Sequence, residues 1–175
     1  NWTKVSSSKH SAKLEVTGNN KAKPKAFPEL KTGELCCIDM LENRVQAIFN
    51  EGFEQVCVTA DQVFSSLDDY YIINYWPEAH YNMGHIPGAI QYQARESLKR
   101  SVDLKTLPID KPILVYCYTG QTAAYIVSYL RIIGYDAFSL KNGANGFMAD
   151  VMGKNNLPGW YPSKMNNYNF VSSGN

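Results

Sequence analysis

Residues 113–135 read ILVYCYTGQTAAYIVSYLRIIGY. The first four form a short apolar, partly β-branched run of strand length, which stops at Cys117. A polar loop with one glycine follows. Ala123, Ile126, Val127, Leu130 and Ile133 then recur on one face of a helix that Gly134 ends. A strand, a tight loop and a helix start together aim successive backbone N–H groups into one concavity. A cysteine placed there feels the positive end of the helix dipole, which favours its thiolate, the nucleophilic form. A second sulfur added to that thiolate makes a persulfide, also an anion, which the same amides would hold. Gly120 lets the loop turn back without a Cβ clash, and Gln121 and Thr122 stand at the helix start. The bland alternative is a buried cysteine closing a strand. The coincidence of glycine, polar loop and amphipathic helix favours the reactive reading.

The same alternation runs through the rest of the chain. QVCVT (55–59) is a short β-branched run, and Thr59 is placed to cap a helix reaching Leu67. YYIINYW (70–76) reads as a strand, and Pro77 opens a helix at its first turn. GHIPGAIQY (84–92) is a turn followed by a short strand, and ARESLKR (94–100) reads as a surface helix. DAFSL (136–140) is a strand, KNGANG (141–146) a loop and FMADVM (147–152) a short helix. Short strands alternating with helices indicate βαβ units and an α/β domain with a mostly parallel sheet. Such sheets bind ligands at the carboxyl ends of their strands, where Cys117 stands.

Upstream, Leu35, Ile38, Leu41, Val45 and Ile48 recur at helical spacing, with Thr32 as a candidate N-cap and Gly52 as C-cap. Cys36 and Cys37 fall in the first turn. A vicinal pair allows redox chemistry, but small buried hydrophobes are the expected role, as for Cys57. Residues 1–31 read as a flexible basic arm, 32–153 as the domain with its core at about 57–150, and 154–175 as a tail. Trp160 and Tyr161 are expected either to cover the mouth of the site or to pin that tail.

The chain has 175 residues, 45% hydrophobic and 19% charged, the composition of one globular domain. Net charge is +1, so no nucleic-acid signature is present. Seven lysines and two glutamates give residues 1–31 a charge of +5, leaving −4 on the remainder. A solvated linker is the expected role of that arm, with a membrane surface or acidic partner as the alternative. No stretch is long and apolar enough to span a bilayer. The first residue is Asn1 rather than Met, which reads as a processed form and leans toward a bacterial extracytoplasmic location, with the cytoplasm as alternative. Four cysteines fit no zinc spacing and are too few for a disulfide scaffold.

Two segments, in this order, carry a resemblance. One is YIINYWPEAHYNMGHIPGAI (71–90), containing GHIPGA at Gly84–Ala89. The other is VYCYTGQTAAYIVSYLRIIGYDAFSLKNG (115–143), with the pattern Cys-x-x-Gly-x-Thr from Cys117. Together with VTADQVFSSL (58–67) they make the chain similar to the rhodanese-like sulfurtransferases over about residues 57–150. The resemblance implies a three-layer α/β domain with helices on both faces of the sheet. It implies Cys117 as sulfur-accepting nucleophile and Tyr118, Thr119, Gly120, Gln121 and Thr122 as its cradle. It implies a ping-pong course from a small donor (thiosulfate, polysulfide or persulfide) to a thiol or cyanide acceptor, a protein thiol included. Neither metal nor organic cofactor is implied.

The chain also departs from the family pattern. Where the family often has Ile-Asp-Val-Arg, this chain has Ile73-Asn74-Tyr75-Trp76, so a charged pair is absent and packing of Trp76 is expected to compensate. Positions 118 and 119 are Tyr and Thr, where several members place Arg or Lys to hold an anionic donor. Weaker use of thiosulfate than of polysulfide or a small persulfide is therefore expected. Gly84 and His85 are read as structural parts of their turn, with His85 bonded to backbone, and His80 has no assigned partner. Related phosphatases and arsenate reductases use a longer loop ending in an arginine that clamps phosphoryl oxygens. Here that position is Ala123, which argues against such chemistry. A non-catalytic scaffold is the other alternative, and the presence of Cys117 argues against it.

Overall fold

The apolar run that ends at Cys117 forms the middle strand of the sheet. The computed structural model describes residues 5–160. Its five strands are β1 (Cys57–Val58), β2 (Tyr71–Asn74), β3 (Ile90–Gln91), β4 (Ile113–Tyr116) and β5 (Ala137–Leu140), in the order β1-β5-β4-β2-β3. Every pairing is parallel, and β2 meets β4 with Tyr71 opposite Ile113 and Asn74 opposite Tyr116. All four β4 side chains are fully buried. Successive side chains point to opposite faces, so both faces of the sheet are covered, as the α/β reading requires.

The helices are α1 (Cys37–Glu51), α2 (Ala60–Ser65), α3 (Glu78–Tyr81), α4 (Gln121–Ile132) and α5 (Ala149–Lys154). Helix α2 starts where Thr59 predicts: the Thr59 side chain accepts from the Gln62 amide, and the Gln62 side chain accepts from the Thr59 amide. Helix α4 buries Ala123, Ile126, Val127 and Leu130 against the sheet. Each fully buried aliphatic side chain stabilises the fold by about 1.5–3 kcal/mol. Trp76, Tyr92, Tyr116 and Phe147 fill the largest fully buried volumes.

The structure differs from the sequence reading in three places. Residues 94–100 form successive turns rather than a helix. Arg95 takes a left-handed φ of 65°, which an α-helix excludes, and its N–H donates to Tyr75 Oη at 2.6 Å. Helix α1 forms and Gly52 caps it, donating its N–H to the Ile48 carbonyl, but none of its residues is buried and Phe49 is 82% exposed. Cys36 and Cys37, expected in the core, are therefore exposed, and Cys57 is half-buried. Thr32 accepts from the Glu34 amide ahead of α1 rather than capping it.

The basic arm is the third difference. Residues 5–31 lie along the domain instead of standing off in solvent. The Ser7 N–H donates to the Asn145 carbonyl and the Ala149 N–H to the Ser7 carbonyl. Glu15 and His85 form an antiparallel bridge. Lys9, Lys21 and Lys25 pair with Asp61, Asp103 and Asp110, so the positive arm neutralises part of the negative remainder.

Candidate active site

Cys117 follows β4 directly, and two amides converge on its sulfur. Gly120 N lies 3.3 Å and Ala123 N 3.4 Å from Sγ. Gly120 is the residue before α4 and takes φ 98°, a conformation that turns the loop back over the cysteine and that a side chain would strain. Cys117 itself is only 3% exposed, whereas Tyr118, Thr119 and Gly120 are half-exposed and Gln121 and Thr122 are exposed. The sulfur thus sits at the floor of a loop whose rim reaches solvent. Thr119 donates its hydroxyl to the Gln121 side-chain carbonyl across that rim.

The loop is held from below by residues 143–146. The Ala144 N–H donates to the Cys117 carbonyl and the Asn145 N–H to the Tyr118 carbonyl, both at 2.9 Å. Gly143 takes φ 55°, and a Cβ there would lie 2.5 Å from the Cys117 carbonyl oxygen. Only glycine permits so close a backbone approach. The sequence reads this stretch as a plain loop; the glycine pair in KNGANG is the one signal of its role.

Tyr118 is fixed from the side. Its ring stacks on Trp76, with centroids 4.7 Å apart and planes 15° apart, and its Oη is 2.5 Å from His80 Nδ1. Burial first, and then the neighbouring Cys117, push the Tyr118 phenol up to about 12, so it stays protonated near neutral pH. His80, unassigned from sequence, is thus the partner of a loop residue. Trp76 is fully buried and also meets Tyr116 edge-on.

Asn74 ties the two sequence motifs together. Its Nδ2 donates to Tyr116 Oη at 2.9 Å, and the same oxygen accepts from the Ile86 amide in the GHIPGA turn. Asn74 is fully buried and has no acidic or basic neighbour in these bonds. His85 is buried too. Its Nδ1 bonds to the Tyr81 carbonyl at 2.9 Å, and its ring stacks on Tyr81 at 3.7 Å. Gly84 packs against Leu14 of the arm, where an added Cβ would be 3.1 Å from Leu14 Cδ1. The turn therefore bonds to β4, α3 and the arm rather than to the Cys117 loop. Trp160 is tied to the domain: its N–H donates to Asn145 Oδ1 and its carbonyl accepts from Ser6 Oγ. Tyr161 lies outside the described residues. Among the described residues no group of three His, Cys, Asp or Glu side chains is arranged to hold a metal.

The chain is 31% identical over 111 residues to a tRNA sulfurtransferase of Desulfurococcus amylolyticus, covering 63% of this chain and 22% of that protein. It is 26% identical over 162 residues to a tRNA uridine(34) hydroxylase of Buchnera aphidicola, covering 86% of this chain and 50% of that one. The chain thus spans half or less of these relatives. A rhodanese-related protein from Thermoplasma volcanium superposes with a TM-score of 0.49 at 19% identity, over 54% of this chain and 91% of its own. The rhodanese-like domain family model matches residues 59–150, from the capping threonine of α2 through the Cys117 loop to the start of α5. With that match over more than half its length, and with a five-stranded parallel sheet carrying the Cys117 loop at its centre, the chain belongs to the rhodanese-like domain family.

Proposed function

We propose that this protein transfers sulfane sulfur by way of a persulfide on Cys117. The observation that carries the reading is the convergence of the Gly120 and Ala123 amides on Sγ at the end of β4. Backbone donors fixed at a helix start stabilise a sulfur anion without any movement of the protein. In the first step the Cys117 thiolate attacks the outer sulfur of the donor. An S–S bond forms to Cys117, the donor's own S–S bond breaks, and its remainder leaves with the electron pair, as sulfite from thiosulfate or as a thiolate from a persulfide. In the second step an acceptor thiolate or cyanide attacks the terminal sulfur, and the Cys117 thiolate departs unchanged. No net redox change falls on the protein, and each step exchanges one S–S bond for another bond to sulfur.

The relative from D. amylolyticus is named for sulfur transfer to tRNA, but this chain spans 22% of it, so the shared part supports the sulfur step and not the tRNA. A net charge of +1 likewise favours a small donor and a thiol acceptor. The test is mass analysis of Cys117-containing peptides after incubation with a sulfane donor. One added sulfur is expected at Cys117, released by a thiol acceptor. Loss of that peptide adduct in Cys117→Ser, with any remaining label confined to the exposed Cys36 and Cys37, completes the result. Absence of an adduct at Cys117 with thiosulfate, polysulfide and small persulfides alike would leave a scaffold in its place.

A further inference from the structure

The turn that replaces the expected helix at 94–100 places Arg95 at a cavity that it shares with Gln121 and Thr122 of the Cys117 loop. Arg95 lines an open cavity of about 520 Å³ with Tyr75, Gln121, Thr122, Tyr125 and Ile126. Gln121 and Thr122 lie in sequence between the two residues whose amides hold the Cys117 sulfur. Among the described residues, Arg95 is the only charged one lining that cavity. Its backbone is locked there, since its N–H bonds to Oη of the buried Tyr75 and its φ is left-handed. The other arginines are engaged: Arg44 caps the end of α4, Arg131 pairs with Glu51 and Asp136, and Arg100 lies over Phe27. The Arg95 guanidinium has no ion pair or hydrogen bond among the described residues.

We propose that Arg95 is the donor-binding residue of this site and selects organic persulfides that carry a carboxylate. The proposal rests on the sulfur-transfer reading and names its donor class. A guanidinium grips a carboxylate through two parallel hydrogen bonds. The cavity has the size of a small-molecule site, well beyond that needed for thiosulfate. Tyr75, Tyr125 and Ile126 give an alkyl chain apolar contact, while the Gln121 and Thr122 side chains add hydrogen-bonding groups. The carboxylate is held at Arg95 while the persulfide's terminal sulfur faces Cys117. After attack the carboxylated thiol leaves as thiolate.

The experiment compares two donors, the persulfide of 3-mercaptopropionate and that of its neutral amide, with wild type, Arg95→Gln and Arg95→Gly. Glycine adopts the left-handed φ freely, so the second variant removes the charge without straining the turn. The expected result is a preference for the carboxylated donor in kcat/KM that falls about tenfold in both variants, mainly through KM. In parallel, 3-(methylthio)propionate, which carries no transferable sulfur, is titrated into Cys117→Ser protein by calorimetry. Binding that is lost on adding Arg95→Gln supports the site even if Cys117 takes up no sulfur, which separates the two readings. An unchanged donor preference in both variants, or carboxylate binding indifferent to residue 95, overturns the proposal.

Discussion

Replacing Gly143 by alanine tests whether the loop beneath Cys117 is built on backbone contact. The new Cβ would stand 2.5 Å from the Cys117 carbonyl oxygen, 2.8 Å from Gly120 N and 2.9 Å from Thr119 N. All three are backbone atoms of the sulfur-holding loop, so no flexible side chain is there to swing aside. The left-handed φ of 55° adds about 1–2 kcal/mol for any residue with a Cβ. Forcing a methyl group into a filled site adds about 1–3 kcal/mol. The sum, about 2–5 kcal/mol, is a large part of the stability of a single domain. For a chain of this length it lowers the melting temperature by about 4–20 °C. The displaced loop also moves the Gly120 amide off Sγ, so sulfur loading falls further than stability alone explains. Calorimetry gives the first quantity, and peptide mass analysis of Cys117 below the transition gives the second. Gly18→Ala is the control, because nothing lies within 4 Å of its Cβ position, and it should shift stability by less than about 0.5 kcal/mol. A Gly143→Ala protein melting within about 1 °C of wild type, with full loading, would refute this account of the loop.

Three further outcomes are expected. Tyr118→Phe keeps the stack on Trp76 but loses the bond to His80, worth about 1 kcal/mol, so it should fold normally while Cys117 alkylation by a bulky maleimide accelerates; equal rates would show that the His80 contact does not restrain the loop. The bond from the Gly88 amide, with help from Asn19 and His85, holds the Glu15 carboxyl below its usual range against some desolvation. A depressed carboxylate stabilises the fold above its unfolded pKa, and that contribution is lost as pH falls through the lower folded pKa. Hydrogen exchange of residues 10–20 should therefore rise on acidification below about pH 4.5, and the rise should be smaller in Glu15→Gln. Among the thiols, the Asp39 and Ile38 amides at the start of α1 pull exposed Cys36 down, while burial pushes Cys57 up. Timed iodoacetamide labelling should reach Cys36 well before Cys57, and the reverse order would contradict the placement of both.

The parts of the fold legible in the sequence are those encoded locally. The β4–loop–α4 unit announces itself because an apolar run, a glycine and a 3.6-residue periodicity follow one another without interruption. Helix α2 is legible because both halves of its capping box lie within four residues. What the sequence hides depends on partners far along the chain. ARESLKR has the composition of a helix, and the bond that overrides it comes from Tyr75, twenty residues upstream. The arm carries few apolar groups, so its docking through backbone bonds and dispersed lysine pairs leaves no pattern to read. Periodicity in α1 states correctly that a helix forms, but it cannot say whether the apolar face finds a partner, and that is why Cys36 and Cys37 were expected inside. At the candidate site, the place of Cys117 between strand and helix is legible locally, whereas the contacts that Gly143, Asn145 and His80 make with residues 117–120 form only on folding.

Asn145 is where the two ends of the described chain clasp. Its side chain donates to Ser6 Oγ and the Val5 carbonyl and accepts from the Trp160 amide, while Ser6 reaches across to the Trp160 carbonyl. The backbone of the same residue supports Tyr118, one step from the Cys117 sulfur. A fragment trimmed to the family-matched 59–150 would keep the whole Cys117 loop and yet strip a fully buried amide of all three partners. The smallest piece that holds the sulfur loop in register is therefore larger than the piece that defines the family.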